Sequence, residues 1–102
     1  MHALIKHPLF DCDVEEAALW YCSKEPQLAD RLAVAVESAM RQSAGTPFQF
    51  SIRYFGFRKI RIKSFPYGIY FYACESFVYL AALVHDAQDA QAILKNRERA
   101  ES

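Results

Sequence analysis

Residues 57–84 read FRKIRIKSFPYGIYFYACESFVYLAALV, and this segment decides the fold. It contains three runs rich in Ile, Val, Tyr and Phe, which are residue types that favour strands. The runs are separated by breaks at Phe65-Pro66 and at residues 73–76, where Pro and small or polar side chains interrupt the pattern. The segment therefore predicts an antiparallel meander of three strands.

The side chains of these runs sort into two faces, because successive residues of a strand point to opposite sides. In the first run Ile60 and Ile62 share an apolar face, and the intervening cations share the other face: Lys59, Arg61 and Lys63. In the second run Tyr70 and Tyr72 lie opposite an alternating set formed by Tyr67, Ile69, Phe71 and Ala73. The third run, residues 77–84, is apolar at both parities and is predicted to be covered on both sides.

The residues before the meander predict a short strand and a helix. Residues 3–6 form an apolar run that Pro8 ends, because proline cannot continue a strand ladder. The helix is predicted to begin at a cap formed by Asp11 or Asp13, with Glu16 at the spacing of a capping box. Its apolar stripe consists of Val14, Ala17, Ala18, Tyr21 and Cys22.

A second helix is predicted from Pro26 to Gly45, with an apolar stripe formed by Leu28, Leu32, Ala35, Val36, Ala39 and Met40. Residues 48–54 predict another strand, and residues 90–99 predict a last helix capped by Asp89. The two long helices are joined by a few residues and form an αα-hairpin whose apolar side needs a sheet to cover. The whole pattern predicts an α+β fold in which an N-terminal strand and the αα-hairpin pack on an antiparallel sheet of about four strands.

The composition indicates one domain that spans residues 1–102, because a chain of this length holds one core. Apolar residues make up 53% and aromatic residues 15% of the chain, as is typical of a packed protein and not of a disordered one. No apolar run reaches the ~18 residues of a membrane span, and the N-terminus has no signal-peptide pattern. We therefore expect a cytoplasmic protein with no membrane partner.

The motifs of ordinary metabolic enzymes are absent from the sequence, since it contains no Gly-rich phosphate loop, GxSxG or HExxH. Cys12, Cys22 and Cys74 are odd in number and form no CxxC pair, so neither a disulfide framework nor a zinc site is indicated. We expect these cysteines to be free, buried thiols. No metal site and no cofactor are predicted.

The net charge is zero, but the charges are unevenly distributed along the chain. No acidic residue interrupts the cations of the central segment, which are Arg53, Arg58, Lys59, Arg61 and Lys63. With Tyr70 and Tyr72 on the next strand, such a surface suits a nucleic-acid backbone or another anionic partner. It equally suits a solvated sheet face with cross-strand tyrosine packing, and the residues alone leave both interpretations open.

Several stretches of the chain together resemble the RelE/ParE superfamily of bacterial toxin-antitoxin toxins, closest to the ParE branch. The matching stretches are Ile5-Lys6-His7-Pro8, residues 26–32 (PQLADRL), residues 65–71 (FPYGIYF) and the apolar strand that ends at His85. His85 and Asp89 also match the family ending His-x-x-Arg-Asp. In this chain Gln88 and Ala90 stand where the family has arginine and proline.

The resemblance implies a small toxin that a cognate antitoxin neutralises by wrapping the hairpin and sheet, so that the two proteins form a hetero-oligomer. ParE-type members poison DNA gyrase, whereas RelE-type members cut mRNA on the ribosome. For the RelE type, Arg61 and His85 are the catalytic candidates. The residues expected to contact the target or a nucleic acid are Arg58, Lys59, Arg61, Lys63, Tyr70, Tyr72, His85 and Asp89.

Two departures from the RelE type favour a protein target such as gyrase. Phe65-Pro66 stands where some of the ribonucleases place an arginine, and no tyrosine follows His85. The prediction is therefore a ParE-like toxin of a type II toxin-antitoxin system. The alternatives are a ribosome-dependent mRNA endoribonuclease and a non-toxic relative that binds only the antitoxin.

Overall fold

The computed structural model describes residues 2–97, which form a sheet covered on one face by two helices. The elements in chain order are β1 (Ala3–Lys6), α1 (Phe10–Lys24), α2 (Pro26–Gly45), β2 (Ile52–Tyr54), β3 (Phe57–Arg61), β4 (Tyr67–Ala73), β5 (Phe77–His85) and α3 (Ala90–Lys95). A 3₁₀ turn, Pro47–Gln49, joins α2 to β2. None of these helices combines the length and the apolar run that crossing a membrane requires.

The sheet has the strand order β1-β5-β4-β3-β2, and the predicted meander β3-β4-β5 is confirmed. The sheet has five strands, one more than predicted, and it is mixed because β1 runs parallel to β5. The reason is topological. The hairpin carries the chain across one face to the far edge at β2, and the meander then returns strand by strand to β1.

The main core lies between the hairpin and the sheet, as the sequence predicts. Ile60 and Ile62 are buried in one cluster with Leu32 and Val36 of α2. A second, smaller cluster lies on the opposite face, where Leu94 of α3 is fully buried against the sheet. The short helix α3 therefore docks on the face of the sheet opposite the hairpin, which is also the face that carries the cations of β3.

A one-residue bulge explains why β5 is apolar at both parities. Tyr70 of β4 pairs with Ala82, whereas the next residue, Phe71, pairs with Leu80, so Ala81 is left without a partner on β4. The alternation of β5 side chains between the two faces of the sheet consequently shifts by one residue at Ala81. Leu80 precedes the shift and faces the hairpin, and Ala82 follows it and faces α3.

The start of α1 differs from the prediction. The helix begins at Phe10, and its N-cap residue Leu9 makes no side-chain cap. Both predicted capping carboxylates have other partners, because Asp11 forms an ion pair with Lys6 at 3.1 Å and Asp13 accepts the backbone N–H of Leu83 at 3.1 Å. The predicted cap and capping box are therefore wrong.

The three cysteines are not joined in disulfides, as predicted, but the prediction that they are buried is wrong. Cys12 and Cys22 are exposed and Cys74 is half-buried. The reason is that only one narrow stripe of α1 reaches the core, formed by Phe10, Val14, Ala17, Ala18 and Tyr21. The predicted stripe of α1 thus holds except at Cys22.

The two remaining elements are shorter than predicted. The strand expected at residues 48–54 begins at Ile52, because Pro47 starts a 3₁₀ turn in place of extended chain. Helix α3 ends at Lys95, and residues 98 and 99 of the predicted helix lie outside the described residues. The predicted cap is confirmed, since Asp89 Oδ1 accepts the backbone N–H of Ala92 at 3.2 Å.

A pH dependence of stability is expected from His7, which connects β1 to α1. The N–H of Leu9 donates to Nδ1 of His7 at 3.0 Å, so this nitrogen is unprotonated in the fold. Burial lowers the pKa of His7 below its ordinary 6.5, and the nearby Arg97 lowers it further, against an opposing effect of Asp13. As the pH falls below 6.5, the unfolded chain takes up a proton before the folded chain does.

The free energy of unfolding is therefore expected to decrease on acidification through this window. Urea denaturation at several pH values measures the slope, and the variant His7→Gln is expected to show a shallower slope than the original chain. Equal slopes in the two proteins would contradict this assignment.

Candidate functional site

Five of the predicted contact residues line one cleft of about 330 Å³ where the meander meets the start of α3: Lys59, Arg61, Tyr70, His85 and Asp89. We call this the polar cleft. Arg53 and Tyr54 of β2 line its outer wall, and Asp86 and Gln88 line the wall next to α3. Strand pairing brings these residues together, because β3, β4 and β5 are neighbours in the sheet.

Lys59 is positioned in the polar cleft by the absence of a side chain at Gly68 and by the ring of Tyr70. Its aliphatic chain passes over Gly68, where an added Cβ would lie 2.6 Å from Cε of Lys59. Its ammonium nitrogen lies 5.6 Å from the centroid of the Tyr70 ring, as in a cation–π contact. Burial is the main cause that lowers the pKa of Lys59; the negative charge of Asp86 opposes it, and Arg53 and Arg61 lower the pKa further.

Gly68→Ala is expected to displace Lys59 from the Tyr70 ring, because the new methyl group takes the space of the lysine chain. The pKa of Lys59 should rise towards its ordinary value as the ammonium moves into solvent. Stability should change by less than about 1 kcal/mol, since the displaced atom is the far end of a flexible chain. NMR titration of Lys59 measures the pKa, and an unchanged value would contradict the role given to Gly68.

Arg61 is paired within the polar cleft. Its Nη2 lies 3.2 Å from Oδ2 of Asp86, and its Nη1 lies 3.5 Å from Oδ1 of the same carboxylate. The backbone N–H of Asp86 donates to the carbonyl of Pro66 at 2.8 Å, so the position of Asp86 is fixed by the turn between β3 and β4. The candidate catalytic arginine therefore already has an anionic partner.

His85 is tied into a closed turn by hydrogen bonds on both sides. Its Nδ1 accepts the N–H of Ala87 at 2.9 Å, and its own backbone N–H donates to Oε1 of Gln88 at 2.8 Å. The His85 ring also packs edge-to-face on Tyr67, with 4.9 Å between centroids. With Nδ1 accepting, a neutral His85 ring carries its hydrogen on Nε2. The ring lies with Tyr67 in a second cleft beside α1, on the face of the sheet that the hairpin covers.

The structure does not bring Arg58, Lys63 or Tyr72 into this cleft. Nη1 of Arg58 donates to the carbonyl of Phe50 at 2.7 Å, which fastens the segment before β2 to the sheet. Tyr72 is half-buried in the cluster under α3, and Lys63 lies at the rim of a different groove. Tyr70 was expected to face outward, but its ring is 4% exposed because α3 and Tyr54 cover that face.

The groove that Lys63 borders is mainly apolar and lies between α2 and the end of β3. It has a volume of about 620 Å³, and we call it the α2 groove. Val34 on its wall is 71% exposed, and Leu28 and Phe65 contribute further apolar surface. The charged residues that line it are Arg31 and Asp30 of α2 and, at the opposite rim, Arg61 and Lys63. Arg61 thus lines both the α2 groove and the polar cleft.

No protein-family model matches this sequence, and no curated protein was found to be similar to it. Among solved structures, the chain is similar to one described as the chromosomal ParDE toxin–antitoxin (TA) system from P. aeruginosa, with a TM-score of 0.73. The match covers 83% of this chain and 96% of the other chain, at 13% sequence identity. This chain has the RelE/ParE-like fold. The predicted fold class is confirmed, and at this identity the likeness concerns the fold alone.

Gln88 has a role that the arginine expected at this position from the resemblance cannot fill. Its side-chain oxygen accepts the N–H of His85, and an arginine side chain has no acceptor. The side chains of His85 and Gln88 therefore close the turn from β5 into α3 by accepting backbone N–H groups. Of this turn, only His85 and Asp89 were predicted as site residues, and the acceptor roles of His85 and Gln88 were not predicted.

Sequence reasoning also missed the ion pair that closes the RelE/ParE-like fold. Arg97 donates to both carboxylate oxygens of Asp13, at 2.8 and 3.0 Å, and to the carbonyl of Ala81 at 2.9 Å. The hydrogen bonds to Asp13 are the main cause that raises the pKa of Arg97. The pair supplies hydrogen-bond partners to the edge of β5 beyond Leu80, where β1 has ended. Asp13 accepts the N–H of Leu83, and Arg97 donates to the carbonyl of Ala81. The two residues are 84 positions apart, so no local pattern indicates their contact.

Proposed function

We propose that this chain is the toxin of a type II toxin-antitoxin system and that a cognate antitoxin neutralises it in a cytoplasmic hetero-oligomer. The observation that carries the proposal is the fold, which is shared with a chain of a ParDE TA system over most of both chains. The second support is the α2 groove, an open apolar surface on the face of the hairpin where the resemblance expects the antitoxin.

The α2 groove suits a short amphipathic segment of a partner protein. Its apolar wall offers Val34, and its rim offers Arg61 and Lys63 to acidic side chains of the same segment. Such a segment buries apolar side chains along the groove while its charged side chains meet the rim. We propose this groove as the antitoxin site.

A pair of variants tests the groove. Val34→Glu places a charge on the wall of the α2 groove and is expected to weaken capture of the antitoxin more than tenfold. Ile52→Glu is the matched control, because Ile52 is 56% exposed at the β2 edge and does not line the groove. The antitoxin candidate is the small protein encoded beside the gene of this chain. Equal binding by both variants would contradict the assignment of the α2 groove as the antitoxin site.

We further propose that the target is a protein, with DNA gyrase as the candidate, and that toxicity does not depend on RNA cleavage. Two contacts support this choice. Nδ1 of His85 is occupied by the N–H of Ala87, and the guanidinium of Arg61, the candidate catalytic cation, is paired with Asp86. Purified chain should inhibit supercoiling by gyrase, and full gyrase activity at a large excess of the chain contradicts the choice of target.

A ribosome-dependent endoribonuclease is the second candidate, because Lys59, Arg61 and His85 are all among the residues that line the polar cleft. Mapping of mRNA ends after induced expression distinguishes the two. The ribonuclease hypothesis requires new ends that disappear in the double variant His85→Ala, Arg61→Ala. A third outcome, binding of the antitoxin without arrest of growth, identifies the non-toxic relative that Gln88 and Ala90 leave as an alternative.

A further inference from the structure

We propose that Asp86 masks the polar cleft. Its carboxylate pairs with the guanidinium of Arg61, and a ligand bearing phosphate groups binds by displacing this carboxylate. The inference goes beyond the toxin function, because it concerns the isolated chain and holds for either target class. It starts from the charges that line the cleft.

The polar cleft gathers three cations, Arg53, Lys59 and Arg61, from two neighbouring strands. Two carboxylates face them, and each has a distinct role. Asp89 caps α3 through the N–H of Ala92, whereas Asp86 is bound to Arg61. The cleft therefore carries an excess of one positive charge with Asp86 in place and of two once Asp86 is displaced or neutralised.

The placement of Asp86 is enforced by its backbone and not only by its side chain. The N–H of Asp86 is bound to the carbonyl of Pro66, which extends the pairing of Tyr67 with His85. The following residues are held by the closed turn in which Ala87 donates to His85 and His85 donates to Gln88. The backbone of Asp86 is consequently held beside Arg61 whenever the turn is folded, within reach of the guanidinium.

The contact is nevertheless open to exchange, because both partners reach solvent. Side chains of Arg61 and Asp86 are 59% and 39% exposed, and exposed ion pairs are held weakly and are screened by salt. Rotation of the Asp86 side chain alone frees the guanidinium, with no change in the backbone. Lys59 meanwhile stays in position over Gly68 and Tyr70, so the remaining site is already formed.

A phosphate-bearing ligand fits this arrangement better than a single carboxylate does. Guanidinium and ammonium groups spread over β2 and β3 match a row of phosphate charges, and the fork of Arg61 binds a phosphate as it binds Asp86. Two sources supply that chemistry, a free polyphosphate and the backbone of a single-stranded nucleic acid. Tripolyphosphate and a labelled oligothymidylate are therefore the two probes.

The test compares Asp86→Asn with a control that makes the same charge change elsewhere. Asp11→Asn breaks the exposed pair of Asp11 with Lys6, whose atoms lie 3.1 Å apart, remote from the cleft. Affinity for both probes is measured at about 50 mM and about 200 mM salt, the oligothymidylate by fluorescence anisotropy and tripolyphosphate by calorimetry. Asp86→Asn is expected to bind roughly three to ten times more tightly, and Asp11→Asn less than about twice as tightly.

Asp86→Asn should also steepen the salt dependence for the oligothymidylate by about 0.7 per freed contact, as expected for single strands. The gain should vanish in the double variant Arg61→Met, Asp86→Asn. Asp86→Ser gives the same comparison if the asparagine variant is poorly folded. Equal affinities for Asp86→Asn and Asp11→Asn, or a gain that persists without Arg61, overturn the proposal. A gain with tripolyphosphate alone assigns the free anion, and a gain with both probes assigns the backbone.

Discussion

Truncation of Phe71 to alanine is expected to lower the free energy of unfolding by about 4 kcal/mol. Phe71 is 0% exposed in the middle of β4, and it packs edge-to-face on Phe50 with 5.9 Å between ring centroids. Its removal leaves a cavity in the cluster shared by the hairpin and the sheet. A domain of this size is stable by only about 5–15 kcal/mol, so the variant loses a large part of its total stability.

Urea denaturation measures the effect, and a second phenylalanine provides the control. Phe48 is 55% exposed and contacts Arg58 and His2 at the surface. Phe48→Ala is expected to cost less than about 1 kcal/mol, because little apolar surface is returned to water. Similar losses for the two variants would show that the hairpin and the sheet do not share one core.

Replacement of Arg97 by methionine is expected to cost about 3 kcal/mol. The side chains of Arg97 and Asp13 are only 11% and 16% exposed, and the substitution leaves the carboxylate of Asp13 without its charged partner. It also leaves the carbonyl of Ala81 without the guanidinium donor. Both losses fall at the bulge of β5, where the ladder with β4 is already interrupted.

The control for Arg97→Met is a pair that lies on the surface. Lys6→Met breaks the contact with Asp11, in which the side chains are 42% and 74% exposed, and should cost less than about 1 kcal/mol. Arg97→Lys is expected to fall between the two, because an ammonium keeps the charge but not the planar fork that reaches both Asp13 oxygens and Ala81. Chemical denaturation of the three variants would contradict the account if their losses were equal.

The helical hairpin and the meander are predictable from the sequence because their signals are local. The stripe that includes Leu32 and Val36 repeats at the helical interval, and Ile60 and Ile62 alternate at the strand interval. The parallel pairing of β1 with β5 joins residues more than seventy positions apart, and no local pattern encodes it. The bulge at Ala81 is hidden for a similar reason, since a strand that is apolar at both parities shows no shift of register.

The candidate site was predictable where it follows from strand order. Lys59 lies opposite Tyr70 because β3 and β4 pair in the predicted meander, and His85 ends the strand next to them. The contacts of Arg58 were not predictable, because its acceptor is a backbone carbonyl of an irregular segment. The burial of Tyr70 was missed because it depends on the docking of α3, whose short polar sequence gives a weak signal.

Arg61 links the two surfaces that the proposals assign to different ligands. It lines the α2 groove, where we propose that the antitoxin binds, and the polar cleft, where Asp86 masks it. We expect an acidic side chain of a segment bound in the groove to contact the same guanidinium. Binding in the groove and binding in the cleft are therefore expected to compete for Arg61.

The toxin assignment is tested most directly by the growth of bacteria after induced expression of this chain, with and without the small protein encoded beside its gene. We predict that the chain alone arrests growth and that co-expression of the neighbouring protein restores it. Restoration should fail with Val34→Glu if that variant is toxic but no longer captured, whereas Ile52→Glu should behave as the original chain does. Undiminished growth at a verified level of folded protein, without any partner, would contradict the account.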